Sequence, residues 1–343
     1  MSYVQEAIGK IIDLCEIPSP TGFTNRIMNY LINEVRKLGF RYEYTNKKSL
    51  IVDLGHGDSN AILLMAHVDT LGAMVRSIKP NGRLKLTRIG GYPFSHIENE
   101  NCIVFTRDNK AYTGTIYNIH PSVHVYNDTG TIERNENNVE VVLDQKVYSK
   151  EDVENLGIRP GDYIAFEPRT VLTRTGFLKS RFLDDKAGAG ILLTLAKVIR
   201  DFTIEPKRKI YIMFTSYEEV GHGASSGIPD DVTEVIAVDM GAVGDDLDSD
   251  VYSVSVCAKD SSGPYDYDVV SKLIRAAELS KVNFTVDIYP YYSSDASAAV
   301  RAGYNVKHGL IGPGIYASHG YERTHVDAIE ATLKLLQKYL ELE

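Results

Sequence analysis

The sequence predicts an α/β protein: a mostly parallel sheet flanked by helices, with a small β-barrel or sandwich inserted into it. Three observations carry that expectation. Helix-periodic segments alternate with short apolar strands in the first and last parts of the chain, the texture of a sheet covered on both faces. From about Arg76 to Val171 the texture changes to short β-like pieces between turns. Finally, acidic and histidine residues stand at or just after the ends of the apolar strands, along the edge where open α/β sheets bind ligands.

The elements follow in order. Val4 to Cys15 and Thr24 to Leu38 carry apolar residues at helical spacing, separated by the loop Ile17-Pro18-Ser19-Pro20-Thr21-Gly22. Arg41 to Val52 and Ala61 to Met65 read as strands, and Leu71 to Val75 leads away from His67. In the middle, Asn81-Gly82, Gly90-Gly91, Asn127-Asp128 and Pro160-Gly161-Asp162 mark turns, Val139 to Leu143 and Asp162 to Phe166 mark strands, and Glu151 to Leu156 is helical. The α/β texture resumes near Thr175. Lys186 to Ile199 predicts a helix whose Ala187-Gly188-Ala189-Gly190 permits close backbone approach. Ile210 to Ser216, Val235 to Val238 and Phe284 to Tyr289 are strand-like; Val269 to Leu279, Ser293 to Arg301 and Ala328 to Leu342 are helical. The expected division is residues 1–75 with 172–343 as the catalytic domain and 76–171 as the insertion.

Composition narrows the function. A chain of 343 residues can bury a large core and divide in two. The net charge of −9 argues against nucleic acid and anionic membrane as partners. Its densest acidic run, Asp245-Asp246-Leu247-Asp248-Ser249-Asp250, reads as a solvated loop. Cys15, Cys102 and Cys257 share no zinc or disulfide spacing, and Cys257 falls in an apolar strand. Met1 to Ala7 lacks the basic start and apolar run of an export signal, and no stretch reaches membrane-spanning length. The expected location is cytoplasmic and reducing.

The strand-end residues point to metal chemistry. His67-Val68-Asp69 puts two polar side chains on one side of an extended segment, so His67 could ligate a cation while Asp69 accepts the other imidazole N–H. Asp184-Asp185 precedes the glycine-rich helix, where one carboxylate could bridge two cations; alone, it would be an ordinary helix cap. Glu218-Glu219 follows the strand Ile210 to Ser216. Adjacent carboxylates outside a helix point apart, so one could hold metal while the other faces a reacting water. A glycosidase pair suits them less well, and the chain has no Trp to stack sugars. Asp239 ends Val235 to Val238 and, singly, could be a turn former. His319 and His325 compete for a last ligand position. Carboxylates and imidazoles gathered on one edge would repel and lose solvation unless cations held them, so a two-metal hydrolase site is the economical reading.

These motifs resemble the co-catalytic metallo-aminopeptidases of the glutamyl and deblocking type, which include the tetrahedral aminopeptidases. Pro18-Ser19-Pro20-Thr21-Gly22, His67-Val68-Asp69, Glu218-Glu219-Val220-Gly221 and Asp239 follow the family pattern. Asp184-Asp185-Lys186 does so with lysine for arginine, and Ser293-Ser294-Asp295-Ala296 stands loosely for Gly-Gly-Thr-Asp-Ala. Near the last histidine the family has Arg-Tyr-x-His-Ser-Pro, where this chain has Ile315-Tyr316-Ala317-Ser318-His319-Gly320. The resemblance implies an aminopeptidase acting on peptides with two divalent cations per chain, zinc or cobalt first and manganese also compatible. It implies His67, Asp184, Glu219, Asp239 and His319 as ligands, Asp184 bridging, Asp69 orienting the site and Glu218 as general base. His319 is preferred by its distance from the closing helix; His325 would cap that helix or orient the site. A homo-oligomer is implied too, commonly a dodecamer in the family, with the inserted domain shaping assembly and access. The residues themselves leave two other readings: an amidohydrolase or deacylase for small N-acyl compounds, and a catalytically silent scaffold.

Overall fold

The computed structural model describes residues 2–55, 57 and 60–342. Its central sheet is mixed but largely parallel. The strands run in the order Arg41–Tyr44, Leu50–Gly55, Ile210–Thr215, Ala61–His67, Val232–Val238, Lys307–Ile315 and Val254–Asp260. Ile210–Thr215, Ala61–His67, Val232–Val238 and Lys307–Ile315 are mutually parallel, and Phe284–Ile288 pairs in parallel with Val254–Asp260. Ala61–His67 is buried at every position, which is why it reads as a continuous apolar run rather than an alternating one.

Helices cover the sheet. Tyr3–Cys15 starts at Ser2, whose hydroxyl and the Gln5 side chain form a reciprocal capping box. Asn25–Leu38 stops at Gly39, whose φ of 81° ends the helix in the left-handed region. Leu183–Arg200 is the most buried helix and packs on Tyr3–Cys15 and on the central strands. A Cβ at Gly188 would lie 1.9 Å from the Val238 carbonyl oxygen, so the small-residue stretch is required by helix–sheet contact. Val326–Glu341 closes the chain over the same core.

The insertion is a closed antiparallel barrel. Its strands are ordered Gly72–Ile78, Leu84–Ile89, Val139–Leu143, Ala111–Asn118, Asn101–Phe105 and Tyr163–Phe166. Closure removes exposed edges and encloses a separate apolar core that includes Val75, Leu86, Val104, Ile116, Val141 and Ile164. The barrel begins at Gly72 rather than Arg76, because Leu71 to Val75 runs straight from the sheet edge into the first barrel strand. A three-stranded sheet of Val171–Leu172, Phe177–Ser180 and Glu322–His325 then ties the chain leaving the barrel to its C-terminal part. The Asp245 to Asp250 run is mostly exposed, and Cys257 is core. Among the described residues, no helix is long and apolar enough to cross a membrane.

Candidate metal centre

The parallel strands deliver their polar residues to one edge. His67 ends one strand and Asp239 directly follows another. Glu218 and Glu219 lie just past Thr215, in a single 3₁₀ turn, Glu218–Val220, rather than the non-helical stretch expected. Asp184 and Asp185 sit at the start of Leu183–Arg200 with non-helical backbone angles. Ser318 and His319 follow Lys307–Ile315. Phe182, Tyr217, Ala317 and His319 all have positive φ between 60° and 71°, a conformation that costs non-glycine residues about 1 to 3 kcal/mol each. The surrounding packing therefore dictates the turns that aim these side chains.

Two donor clusters share His67. Ligand atoms of His67, Asp184 and Glu219 lie within 4.8 Å of one another, as do those of His67, Asp185 and Asp239. His67 Nε2 is 3.0 Å from Asp184 Oδ1 and 3.8 Å from Glu218 Oε2. His319 Nε2 lies 3.5 Å from both Asp184 Oδ2 and Glu219 Oε2. The adjacent glutamates thus reach different imidazoles. The structure brings His67, Asp69, Asp184, Glu218, Glu219, Asp239 and His319 together. His325 stays outside: it caps Val326–Glu341 by accepting from Asp327 N, and its Nε2 meets the Thr175 carbonyl at 2.8 Å.

One expected contact differs. His67 Nδ1 meets the main-chain oxygen of Asp69 at 2.9 Å, while the nearer carboxylate oxygen is 3.8 Å away. That carboxylate is engaged elsewhere. Its Oδ2 accepts from Thr21 Oγ1 at 2.7 Å and its Oδ1 from Glu218 N at 3.2 Å. The Pro-Ser-Pro-Thr-Gly loop therefore braces the His67–Asp69 segment, with Ser19 Oγ also donating to the Val68 carbonyl at 2.7 Å. Lys186, standing for arginine, donates to the Ile17 carbonyl at 2.8 Å from the other side of that loop.

Electrostatics state the chemical problem of the site. Burial pushes the carboxyls of Asp185 and Glu218 well above the usual range. Burial, reinforced by Asp184, raises Glu219 to about 8 and Asp239 to about 7. Burial works against charge on the imidazoles too, yet Asp184 and Glu218 hold His67 well above its ordinary value, and Asp184 and Glu219 raise His319 to about 11. The acidic groups outnumber the basic ones, and Asp185 Oδ2 is buried without a hydrogen-bond partner. Divalent cations would satisfy both the orphaned oxygen and the excess negative charge. Carboxylate and imidazole donors without thiolates fit zinc, cobalt or manganese.

Sequence reasoning missed several members of this site. Asp185 joins the second donor cluster as well as preceding the helix. Glu322, 2% exposed, accepts from Asp184 N and His319 N at 3.1 Å each. Asp295 accepts from Thr215 Oγ1 and, at 2.7 Å, from Ala224 N, bracing both ends of the Glu218–Glu219 turn. The barrel contributes as well: His319 Nδ1 donates to the Gly91 carbonyl, which leaves Nε2 facing the carboxylates. Spacing carries no signal for Glu322 or Gly91; the loose Ser-Ser-Asp-Ala match was a signal for Asp295. A cavity of about 290 Å³ opens over the cluster, with Tyr291, Tyr292, Ser293 and Arg301 on its wall.

Comparison with known proteins identifies the family. Residues 49–335 match the family described as M42 glutamyl aminopeptidase. The chain is 46% identical over 342 residues to "Putative aminopeptidase YhfE" of Bacillus subtilis (strain 168), covering 99% of each. It is 26% identical over 199 residues to the glutamyl aminopeptidase of Lactococcus lactis subsp. cremoris (strain MG1363), covering 57% of this chain and 56% of that one. Its fold is similar to that of the Pyrococcus horikoshii TET1 peptidase, which can assemble into a tetrahedron or a large octahedral shell. The TM-score is 0.86 at 26% identity, covering 97% of this chain and 99% of that one. Motif order, fold and relatives converge, and the chain belongs to the M42 glutamyl aminopeptidase family, metallopeptidases that remove residues from peptide N-termini.

Proposed function

We propose that this chain hydrolyses the N-terminal bond of peptides at a centre of two divalent cations held by His67, Asp184, Glu219, Asp239 and His319, with Asp185 beside them. The observation that carries this reading is the pair of donor clusters sharing His67 beneath one cavity. Zinc or cobalt is the first choice of metal and manganese the next. Bound there, the cations would supply Lewis acidity toward the scissile carbonyl and the attacking water.

The chain's own groups do the rest. Glu218 takes the water proton and passes it to the departing amine nitrogen. Asp69 fixes the main chain of Glu218 through its N–H and so aims that base. Gly91 holds the His319 ring in one orientation through Nδ1. The surplus carboxylates also suit a free α-ammonium group, which favours cleavage at the N-terminus.

We further propose a homo-oligomer, with a dodecamer as the specific expectation, in which the barrel contributes contacts and restricts access to the cavity. The assembly of the TET1 relative supports this. Three buried free thiols suit a reducing, cytoplasmic location. The decisive experiment combines metal analysis with an amino acid anilide panel. We expect two cations per chain, turnover of anilides but not of N-acyl amino acids, and loss of activity to chelators. Full activity in exhaustively metal-stripped protein would rule the mechanism out.

A further inference from the structure

Arg181 is a buried cation that the assigned roles do not use. It lies between the strand Phe177–Ser180 and the helix Leu183–Arg200, three residues before Asp184, and is 3% exposed. Its one carboxylate partner among the described residues is Glu100, whose Oε1 stands 3.1 Å from Arg181 NH2 and is shared with Arg169. Its Nε has no hydrogen-bond partner. Ion pairing of this kind contributes little net stability once desolvation is counted. What sets Arg181 apart is where its guanidinium fork points.

The fork spans two parts of the molecule. On the barrel side, NH2 donates to the His96 carbonyl as well as to Glu100. His96 ends the short turn Phe94–His96; Glu100 leads into the strand Asn101–Phe105, and its carbonyl accepts from Ile116 N at 2.9 Å. On the other side, NH1 donates to the buried Gly320 carbonyl at 3.3 Å, directly after His319. His96 adds a second tie, because its Nδ1 donates to the His319 carbonyl at 3.1 Å. The loop so held is strained, since Ala317 and His319 have φ of 60° and 62°. Released, such a loop relaxes toward ordinary backbone angles and carries His319 Nε2 from its place 3.5 Å from Asp184 and Glu219.

We propose that Arg181 is a positioning residue: with His96, it ties the His319 loop to the barrel and so holds that imidazole at the metal centre. This rests on the reading of His319 as a ligand. The barrel then completes the centre as well as shaping access to it. Arginine suits the task because its planar head offers donors to both sides at once, whereas lysine is a single point of charge. Arg181 is not on the cavity wall, so it acts through the loop and not on the substrate.

The test is Arg181→Lys in the full chain, which keeps a cation beside Glu100 but cannot also hold Gly320. Metal-free protein is titrated with cobalt, and affinity and visible absorption are read together. We expect one equivalent, the one lost in His319→Ala, to bind about 10- to 100-fold more weakly with its cobalt bands altered, while the other is unchanged. The control is Arg169→Lys, because Arg169 pairs with the same Glu100 oxygen and stacks on Tyr321 but bonds no carbonyl of the His319 loop. It should change neither affinity nor spectrum. A lower melting temperature with both affinities and the spectrum unchanged would overturn the proposal, since Arg181 would then only staple the barrel to the sheet. An equal effect of Arg169→Lys, or equal weakening of both equivalents, would overturn it too. If Arg181→Lys does not fold, His96→Ala carries the test from an exposed side chain: the same equivalent must weaken, and no change refutes the tie. A parent that binds fewer than two cations, or in which His319→Ala loses none, would instead sink the reading of the centre before any Arg181 variant is compared.

Discussion

Replacing Glu322 with glutamine keeps the shape of the side chain but removes one of two acceptors where both are in use. Oε2 accepts from Asp184 N and Oε1 from His319 N, each at 3.1 Å, in a side chain that is only 2% exposed. An amide has one oxygen and one NH₂ group, so one of the two main-chain N–H groups must face a donor. An unsatisfied buried donor costs about 1 to 3 kcal/mol. At about 1.4 kcal/mol per tenfold, that corresponds to roughly 10- to 100-fold in an equilibrium constant. The loss falls on the segments carrying two proposed ligands, and the size agrees with the roughly 10- to 100-fold effects seen when outer-shell partners of metal ligands are removed. The assay is calorimetric titration of metal-free protein with zinc or cobalt. We expect Glu322→Gln to bind one equivalent about 10- to 100-fold more weakly, with kcat largely restored at saturating metal. A lowered melting temperature with both metal affinities unchanged would refute the reasoning, since Glu322 would then serve the fold alone.

Other outcomes follow from the same geometry. Glu218→Gln removes the proposed base without changing its size, so activity should fall by about 10² or more while metal stays bound; Glu219→Gln should instead weaken metal binding. Kinetics paired with metal analysis separates them, and retention of both metal and rate in both variants would void the roles. His319→Ala should lose one metal equivalent at limiting metal and be nearly inactive, whereas His325→Ala should keep both; paired titrations decide, and the reverse pattern would move the ligand role to His325. Arg301 is the one lysine or arginine on the cavity wall among the described residues. Arg301→Ala should lower kcat/KM for anilides of Glu and Asp by roughly tenfold more than for Leu, as expected for one charge-assisted hydrogen bond; equal losses across the panel would exclude a selective role.

Much of the site was legible because buried parallel strands leave a simple record. Ala61 to Met65, Ile210 to Thr215 and Val235 to Val238 are apolar without alternation, and each is followed by polar residues with no role in a core. His67, Glu218, Glu219 and Asp239 could be picked out on that basis, and Asp184 by the Asp-Asp-Lys-Ala-Gly run that opens its helix. The strand Lys307–Ile315 could not. Gly309, Gly312, Pro313 and Gly314 argue against a strand by propensity, yet it lies inside the sheet. The close packing explains the composition: a Cβ at Gly312 would lie 1.8 Å from the Asp239 carbonyl oxygen, and one at Gly314 1.7 Å from that of Asp250. This is the strand that leads to His319.

The sequence by itself determined the α/β class, the inserted β unit, most helices and the strand-end residues, because periodicity and turn chemistry are local properties of the chain. Tertiary structure decided which side chains meet. It set His319 within 3.5 Å of Asp184 and Glu219 and left His325 as a helix cap. It gave His67 the carbonyl rather than the carboxylate of Asp69, because Thr21 and Glu218 N already hold that carboxylate. It turned Glu322 into a clamp on Asp184. Hydrogen bonds of this kind join segments far apart in the chain. Their distances and angles are fixed only when the whole sheet, its helices and the barrel have packed, so spacing along the chain holds no record of them.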